Sequence, residues 1–416
     1  MKSVIYLDNA ATTRVRPEVI EAMLPFYTGN FANPSSTYKV AQENRACIEE
    51  CRKSIAATIK ADAKEIYFTA GGSEADNWAL KSAAEAYAMS DKPPLCNNKN
   101  TVFDNYGYTG RKCLKGHIIT TNIEHHAILH TALYLEKMGC DVTYLNVDER
   151  GIVRLKDLKK AIRPDTFLIS VMYANNEIGT IEPVKEIGEI ALENNILFHT
   201  DAVQAYGHIP IDVNECNIDM LSASGHKLNG PKGTGFLYIR EGVELGSFIH
   251  GGAQEMGKRA GTENVPGIVG LSKACGLAEV SMKERTIKEL SLRSHLIDRI
   301  LSEIPYARLN GDAKRRLPNN VNISFQFVEG EALLVMLDME GICASAGSAC
   351  TSGLSTPSHV LTAIGLPEEI ARGSLRMTIS EDNTFEELDH VVDVLKDKIF
   401  KLRSVSPEYE DYRRRI

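Results

Sequence analysis

Asn195-Ile-Leu-Phe-His-Thr-Asp201-Ala-Val-Gln204 reads as a short apolar strand that ends in an acid. Apolar runs of the same kind recur at 116–121, 141–145 and 167–172, and a helix-like run at 184–194 leads into 197–199. That alternation predicts an α/β fold, with a mostly parallel sheet covered by helices. In open α/β sheets, ligands bind beyond the carboxyl ends of the strands. Asp201 therefore stands where an acid can meet one.

Downstream, Ser224-Gly225-His226-Lys227-Leu228-Asn229-Gly230-Pro231-Lys232-Gly233 sets a lysine among small and turn-forming residues. Gly225, Gly230, Gly233 and Pro231 keep the backbone compact and allow close approach to a ligand. Ser224 and His226 add short donors beside the amine. On this segment alone, an exposed lysine in a Gly-Pro turn fits as well as one bonded to an anionic cofactor. Upstream, Glu65-Ile-Tyr-Phe-Thr69-Ala-Gly71-Gly72-Ser73-Glu74 precedes a helix-like run at 75–88 and reads as strand, glycine turn and helix N-terminus. Free N–H groups and the helix dipole make such a turn a phosphate seat, with the Ser73 hydroxyl as an added donor. Phosphate seat, acid and lysine in this order suit pyridoxal 5'-phosphate, whose pyridine nitrogen Asp201 would face and whose aldehyde Lys227 would hold.

Beyond these segments the chain carries Tyr6-Leu-Asp-Asn-Ala-Ala-Thr-Thr13, Asn33-Pro-Ser-Ser36, Glu124-His125, Asn175-Asn176-Glu177-Ile-Gly179, Arg259-Ala-Gly-Thr262, Gly347-Ser-Ala-Cys350-Thr-Ser352 and Ser374-Leu-Arg376. With them it resembles, from Tyr6 to about Lys401, the cysteine desulfurases of the NifS/IscS class. These lie in the class-V aminotransferase group of pyridoxal-phosphate enzymes of fold type I. The resemblance implies a seven-stranded-type sheet in a large domain, 14–262, and a smaller α+β domain, 263–416, on which 1–13 packs. It implies that Lys227 carries the cofactor and moves the substrate's α-proton, that Asp201 pairs with the pyridine nitrogen, and that Gln204 bonds the ring hydroxyl. His125 would stack on the ring and take part in proton transfer. Gly72, Ser73, Ser224 and His226 would hold the phosphate, with Thr262 reaching it from the partner subunit of a homodimer. Asn176 and Arg376 would bind the substrate carboxylate, for which a guanidinium offers bidentate geometry. One departure is Tyr38, where relatives commonly have a histidine after Asn-Pro-Ser-Ser; no role above uses that position.

Cys350 lies in a run, 345–356, too rich in Gly, Ser and Thr for a good helix or a buried strand. Cysteine usually prefers buried apolar settings, whereas the nucleophilic form is an accessible thiolate. The resemblance implies that Cys350 takes sulfur from L-cysteine, leaving alanine, and passes it to a sulfur-acceptor or scaffold protein serving iron–sulfur cluster assembly or tRNA thiolation. A selenocysteine lyase, an ordinary aminotransferase and a non-enzymatic cofactor-bound scaffold are the competing readings. Cys350 speaks against the second, and the full set Lys227, Asp201, His125, Arg376 and Cys350 against the third.

The composition fits this class. A chain of 416 residues has room for two to three domains. A net charge of -8 gives no reason to expect direct nucleic-acid or anionic-membrane binding. No apolar run reaches the roughly 18 residues of a membrane span, and the N-terminus lacks a signal peptide's apolar stretch. Nine cysteines without a CxxC pair signal neither a zinc site nor a disulfide framework, so a cytoplasmic setting and no metal are expected. The turn-rich segment 90–116 reads as an insertion and a surface excursion; Cys96 and Cys113, even with His117, fall short of a tetrahedral metal site. A helix-like stretch at 267–304 leads to runs at 320–327, 332–339 and 375–379, and the charged tail 408–416 is expected to fray.

Overall fold

The computed structural model describes residues 4–90, 114–346 and 357–415. Its larger sheet has seven strands in the spatial order Ile66–Thr69, Gly235–Ile239, Met220–Ser224, Leu197–Asp201, Thr166–Ser170, His117–Thr121, Asp141–Leu145. Gly235–Ile239 is antiparallel to both neighbours, while the other pairings are parallel. The helix-covered, mostly parallel sheet expected from the sequence is present. Thr166–Ser170 and Met220–Ser224 are buried along their whole length, as befits central strands covered on both faces.

Helices seal the sheet with one face each. Val184–Glu193 buries Val184, Ile187, Gly188, Ile190 and Ala191, the spacing of a single helical face. Gly188 is required there, because a Cβ would lie 1.9 Å from the carbonyl oxygen of Cys216. Gly72–Met89 likewise buries Ala75, Ala79, Leu80, Ala83 and Ala84. It begins at the glycine turn itself, ahead of the expected 75–88.

A second, antiparallel sheet orders Ser345–Ala346, Ser374–Thr378, Asn320–Phe325 and Ala307–Leu309. The N-terminal strand Ile5–Tyr6 pairs in parallel with Ile342–Cys343, and Asp8 bridges to Thr378. Ile5 and Leu7 thereby join a core with Leu292, Leu296, Val321 and Leu375. The helix Val265–Glu303 spans both cores: Ile268, Leu271 and Ala274 pack under the large sheet, Leu292, Leu296 and Ile300 under the small one. Val360, Leu361 and Ile364 return to the large-sheet core from late in the chain.

The tail departs from expectation. Pro407–Arg415 is helical, and the rings of Tyr409 and Tyr412 pack on Tyr306 and Phe327 with centroids 5.1 to 6.2 Å apart. Two tyrosines on one face of a charged helix supply the apolar anchor that its charge obscures. His117 is committed elsewhere: Nδ1 bonds the Thr166 hydroxyl at 2.7 Å and Nε2 the Thr143 hydroxyl at 2.8 Å, so neither nitrogen is free for a metal. Cys96, Cys113 and most of the segment between Ser90 and Gly116 lie outside the described residues. No helix among the described residues is long and apolar enough to cross a membrane.

Candidate active site

The carboxyl ends of five strands converge on one place. Gly71, Gly72 and Ser73 follow Ile66–Thr69, His125 follows His117–Thr121, and Asn176 lies beyond Thr166–Ser170. Asp201 ends its strand, and Ser224 ends the next, with His226 and Lys227 immediately after. Together with Gln204, Arg376 and the N-terminal Ala10–Thr12 these residues line a cavity of about 780 Å³. Thr262 is exposed and is not part of that lining. Cys350 lies outside the described residues.

At one end of the cavity the backbone turns through Gly71 into the helix Gly72–Met89. The first N–H groups of a helix have no intrahelical acceptor, and here they face the cavity beside Ser73 and Ser224. A Cβ on Gly72 would come within 2.5 Å of the Val203 side chain, so the seat is cut to glycine. Glu74 fastens this turn to a distant segment, accepting from Arg259 Nε at 2.8 Å and Nη2 at 3.1 Å. That ion pair is the anchor of Arg259-Ala-Gly-Thr262. His226 Nδ1 lies 3.2 Å from the Thr12 hydroxyl, and burial with the charges of Lys227 and Lys232 pushes the imidazole down to about 4.

Lys227 Nζ donates to the carbonyls of Ala10 and Ala11, and Gln204 Nε2 donates to Ala10 at 3.0 Å. The N-terminal segment thus holds the lysine head over the cavity. At the far end Asp201 is buried; burial raises its carboxyl to about 6, against the Val203 N–H at 2.9 Å and the charge of Lys227, which favour the anion. His125 caps the helix His126–Met138, its Nδ1 accepting from Ala127 N at 3.2 Å. The ring proton must therefore sit on Nε2. Burial first, then Lys227, lowers His125 to about 4, so the ring is neutral at ordinary pH.

On the opposite wall Arg376 comes from the second sheet. Its Nη2 bonds Asp8 Oδ1 at 2.9 Å, its Nη1 bonds the Asn176 carbonyl at 3.1 Å, and its buried Nε has no partner among the described residues. The sequence reading missed two acids here. Asp8 was visible only as part of an N-terminal motif, and Asp76 only as a polar position within a helix. Lys232, beyond the Gly-Pro turn from Lys227, also lines the cavity.

Residues 5–92 and 97–391 match the class-V aminotransferase family. The chain belongs to that family, whose members are pyridoxal-phosphate-dependent. A protein named cysteine desulfurase IscS from Methanosarcina thermophila is 53% identical over 403 residues, covering 97% of this chain and 94% of its own. One of the same name from Clostridium botulinum strain Hall is 53% identical over 415 residues, covering 99% and 98%. Among solved structures, a NifS-like protein matches with TM-score 0.84 and 37% identity over 95% of this chain and 99% of its own. SspA in complex with cysteine matches with TM-score 0.76 and 38% identity over 91% and 100%. Within the class-V family this chain falls with the cysteine desulfurases.

Proposed function

We propose that this chain is a pyridoxal 5'-phosphate-dependent cysteine desulfurase that converts L-cysteine to L-alanine and keeps the sulfur as a persulfide on Cys350. The observation that carries this reading is the convergence of Lys227, Asp201 and the Gly71–Ser73 turn on one cavity that Arg376 also lines. The cavity suits the cofactor at both ends: a glycine-cut turn with free N–H groups for a phosphate, and a buried acid for a pyridine nitrogen. When bound, the cofactor supplies an electron sink for negative charge at the substrate's α-carbon.

Gly72, Ser73, Ser224 and His226 would seat the phosphate, Gln204 would meet the ring hydroxyl, and Asp201 would hold the protonated ring nitrogen. His125, neutral and pinned by its cap, would stack on the ring and offer Nε2–H. Arg376 and Asn176 orient the substrate carboxylate, and a carboxylate would satisfy the orphaned Arg376 Nε. With its amine free, Lys227 Nζ would be the base that removes the proton from the substrate's α-carbon. The Cys350 thiolate then attacks the substrate sulfur. An S–S bond forms, the C–S bond breaks, and alanine leaves with the protons of the two thiols accounted for in alanine and the persulfide.

On this reading the working enzyme is a cytoplasmic homodimer, with Thr262 reaching the partner's phosphate site. The large unit is 14–262, and 263–416 with 1–13 forms the small one. The persulfide sulfur goes to an acceptor or scaffold protein in iron–sulfur cluster assembly or tRNA thiolation. The decisive variant is Cys350→Ser. It should bind cofactor and L-cysteine with the spectral changes of wild type, yet form no persulfide and release no sulfide. Sulfide release at the native rate from Cys350→Ser would refute the proposed sulfur path.

A further inference from the structure

Asp76 stands in the second turn of the helix Gly72–Met89, where an acid reads as part of a solvated face. It is instead 1% exposed and lines the cavity. One of its carboxyl oxygens, one of Asp201's and a ring nitrogen of His125 lie within 4.8 Å of one another. Its Oδ1 has no hydrogen-bond partner among the described residues and lies 3.8 Å from His199 Nε2. Behind it a buried polar chain crosses the sheet. Ser170 Oγ meets His199 Nδ1 at 2.9 Å, His199 Nε2 meets Ser222 Oγ at 3.0 Å, and the Ser222 hydroxyl reaches the Asp76 carboxyl.

The charges around this carboxyl decide its state. Asp201 and Glu124 face it as acids. His199 and His125 are held neutral by burial, at about 3 and about 4. Lys227 acts on Asp201, where its charge favours the anion. Two buried carboxyls this close repel each other when both are ionised, which favours one proton shared by the pair. Asp201 has the Val203 N–H and Lys227 on its side; burial and the charge of Asp201 push Asp76 well above the usual carboxylate range.

We propose that Asp76 is a positioning residue: a protonated carboxyl that donates to Asp201, so that the pair holds one proton and Asp201 alone carries the charge that faces the ring nitrogen. The cofactor role rests on the function proposed above, whereas the shared proton is a property of the chain itself. In this arrangement Asp76 fixes the Asp201 side chain and spares it a competing negative charge. The Ser222–His199–Ser170 chain holds Asp76 in turn.

Infrared difference spectra of the wild type against Asp76→Asn, with and without pyridoxal phosphate, test the proton. At neutral pH the wild type should show a protonated-carboxyl C=O band that disappears in Asp76→Asn. Cofactor retention after dilution tests the positioning. Asp76→Asn keeps shape and a neutral donor and should hold pyridoxal phosphate about as well as wild type, whereas Asp76→Leu should lose it about tenfold faster. A wild-type-minus-Asp76→Asn difference spectrum with no such band, or equal loss of cofactor from the Asn and Leu variants, would each overturn the proposal. Failure of wild type to bind pyridoxal phosphate at all would instead strike the function proposed above, and the band in the cofactor-free chain would still be read.

Discussion

Arg376 Nη2 and Asp8 Oδ1 form a 2.9 Å ion pair that ties the second sheet to the N-terminal segment on the wall of the cavity. The guanidinium is largely buried and its Nη1 is spent on the Asn176 carbonyl. Asp8 therefore sets the plane in which Arg376 can present its remaining donor. Glu177 lies near as well, where burial raises its carboxyl to about 7 despite Ser358 and Arg376.

Asp8→Asn should accordingly act on substrate binding rather than on the chemical step. The carboxylate contact is made equally in the ground state and the transition state, so its loss raises KM with kcat little changed. The KM for L-cysteine should rise by about tenfold, the equivalent of about 1.4 kcal/mol. Steady-state kinetics on the purified variant provide the check; a fall in kcat at unchanged KM would place Asp8 elsewhere in the reaction.

Among the described residues two lysines line the cavity, in different settings. Lys227 follows the strand next to Asp201's and is held by the Ala10 and Ala11 carbonyls, whereas Lys232 is exposed beyond the Gly-Pro turn. Borohydride reduction of the cofactor-loaded enzyme followed by peptide mass spectrometry should find the adduct on Lys227. Lys227→Ala should abolish it and Lys232→Ala should not. An adduct on Lys232 in the wild type would reverse the assignment.

The main features legible in the sequence were local ones. Asp201 and Lys227 announced themselves because each sits where a short strand stops, and a strand end can be read from a handful of residues. Arg376 and Asp8 are 368 positions apart, so no local pattern could pair them, and Arg376 was named only through resemblance. Asp76 was passed over because the helix Gly72–Met89 is polar at several exposed positions, and burial is not written in spacing when the covering layer is small side chains. The strand Gly235–Ile239 is likewise masked, because it directly follows a Gly-Pro turn and is only five residues long. The same weakness hid the tail helix, whose two tyrosines are outnumbered by charges.

His125 gives a pH prediction with a definite sign. Its folded value is lowered from 6.5 to about 4, by burial and then Lys227. Between those values the unfolded chain binds the proton and the folded chain does not, so this group makes stability rise with pH through that window and contributes no further slope above it. His125→Gln should reduce proton uptake on unfolding by one at about pH 5. Nitrogen NMR of the cofactor-free enzyme should find an Nε2–H imidazole with no titration near 6.5; a midpoint there would contradict the buried, capped geometry.

The segment 90–116 can be tested from its flanks. The helix Gly72–Met89 has its first turn at the cavity and, at 18 residues, ends about 27 Å away. Leu114 is tied by its N–H to the Met138 carbonyl, at the end of His126–Met138 opposite His125. Both flanks thus lie at the edge of the sheet remote from the chemistry. Deleting Leu95–Lys112 should leave alanine formation within roughly twofold of wild type, as expected for a surface excursion. A collapse in rate with an unchanged circular dichroism spectrum would assign the segment to the active site.

The last prediction concerns Thr262, which is exposed and absent from the lining of its own chain's cavity. Its segment begins at Arg259, locked to Glu74 on the helix Gly72–Met89, so Thr262 is presented outward from a rigid base. If it completes the partner's phosphate seat, the site is split between two chains, as closed twofold symmetry permits. Thr262→Ala homodimers should then lose cofactor faster than wild type, and Lys227→Ala homodimers should have no covalent cofactor. A heterodimer of the two variants contains one site with a native Lys227 from one chain and a native Thr262 from the other. Co-expressed, differently tagged chains should therefore recover wild-type retention at one site per dimer. Were Thr262 to serve its own chain's site, the surviving lysine would share its chain with the Thr262→Ala defect, and retention would remain that of the Thr262→Ala homodimer.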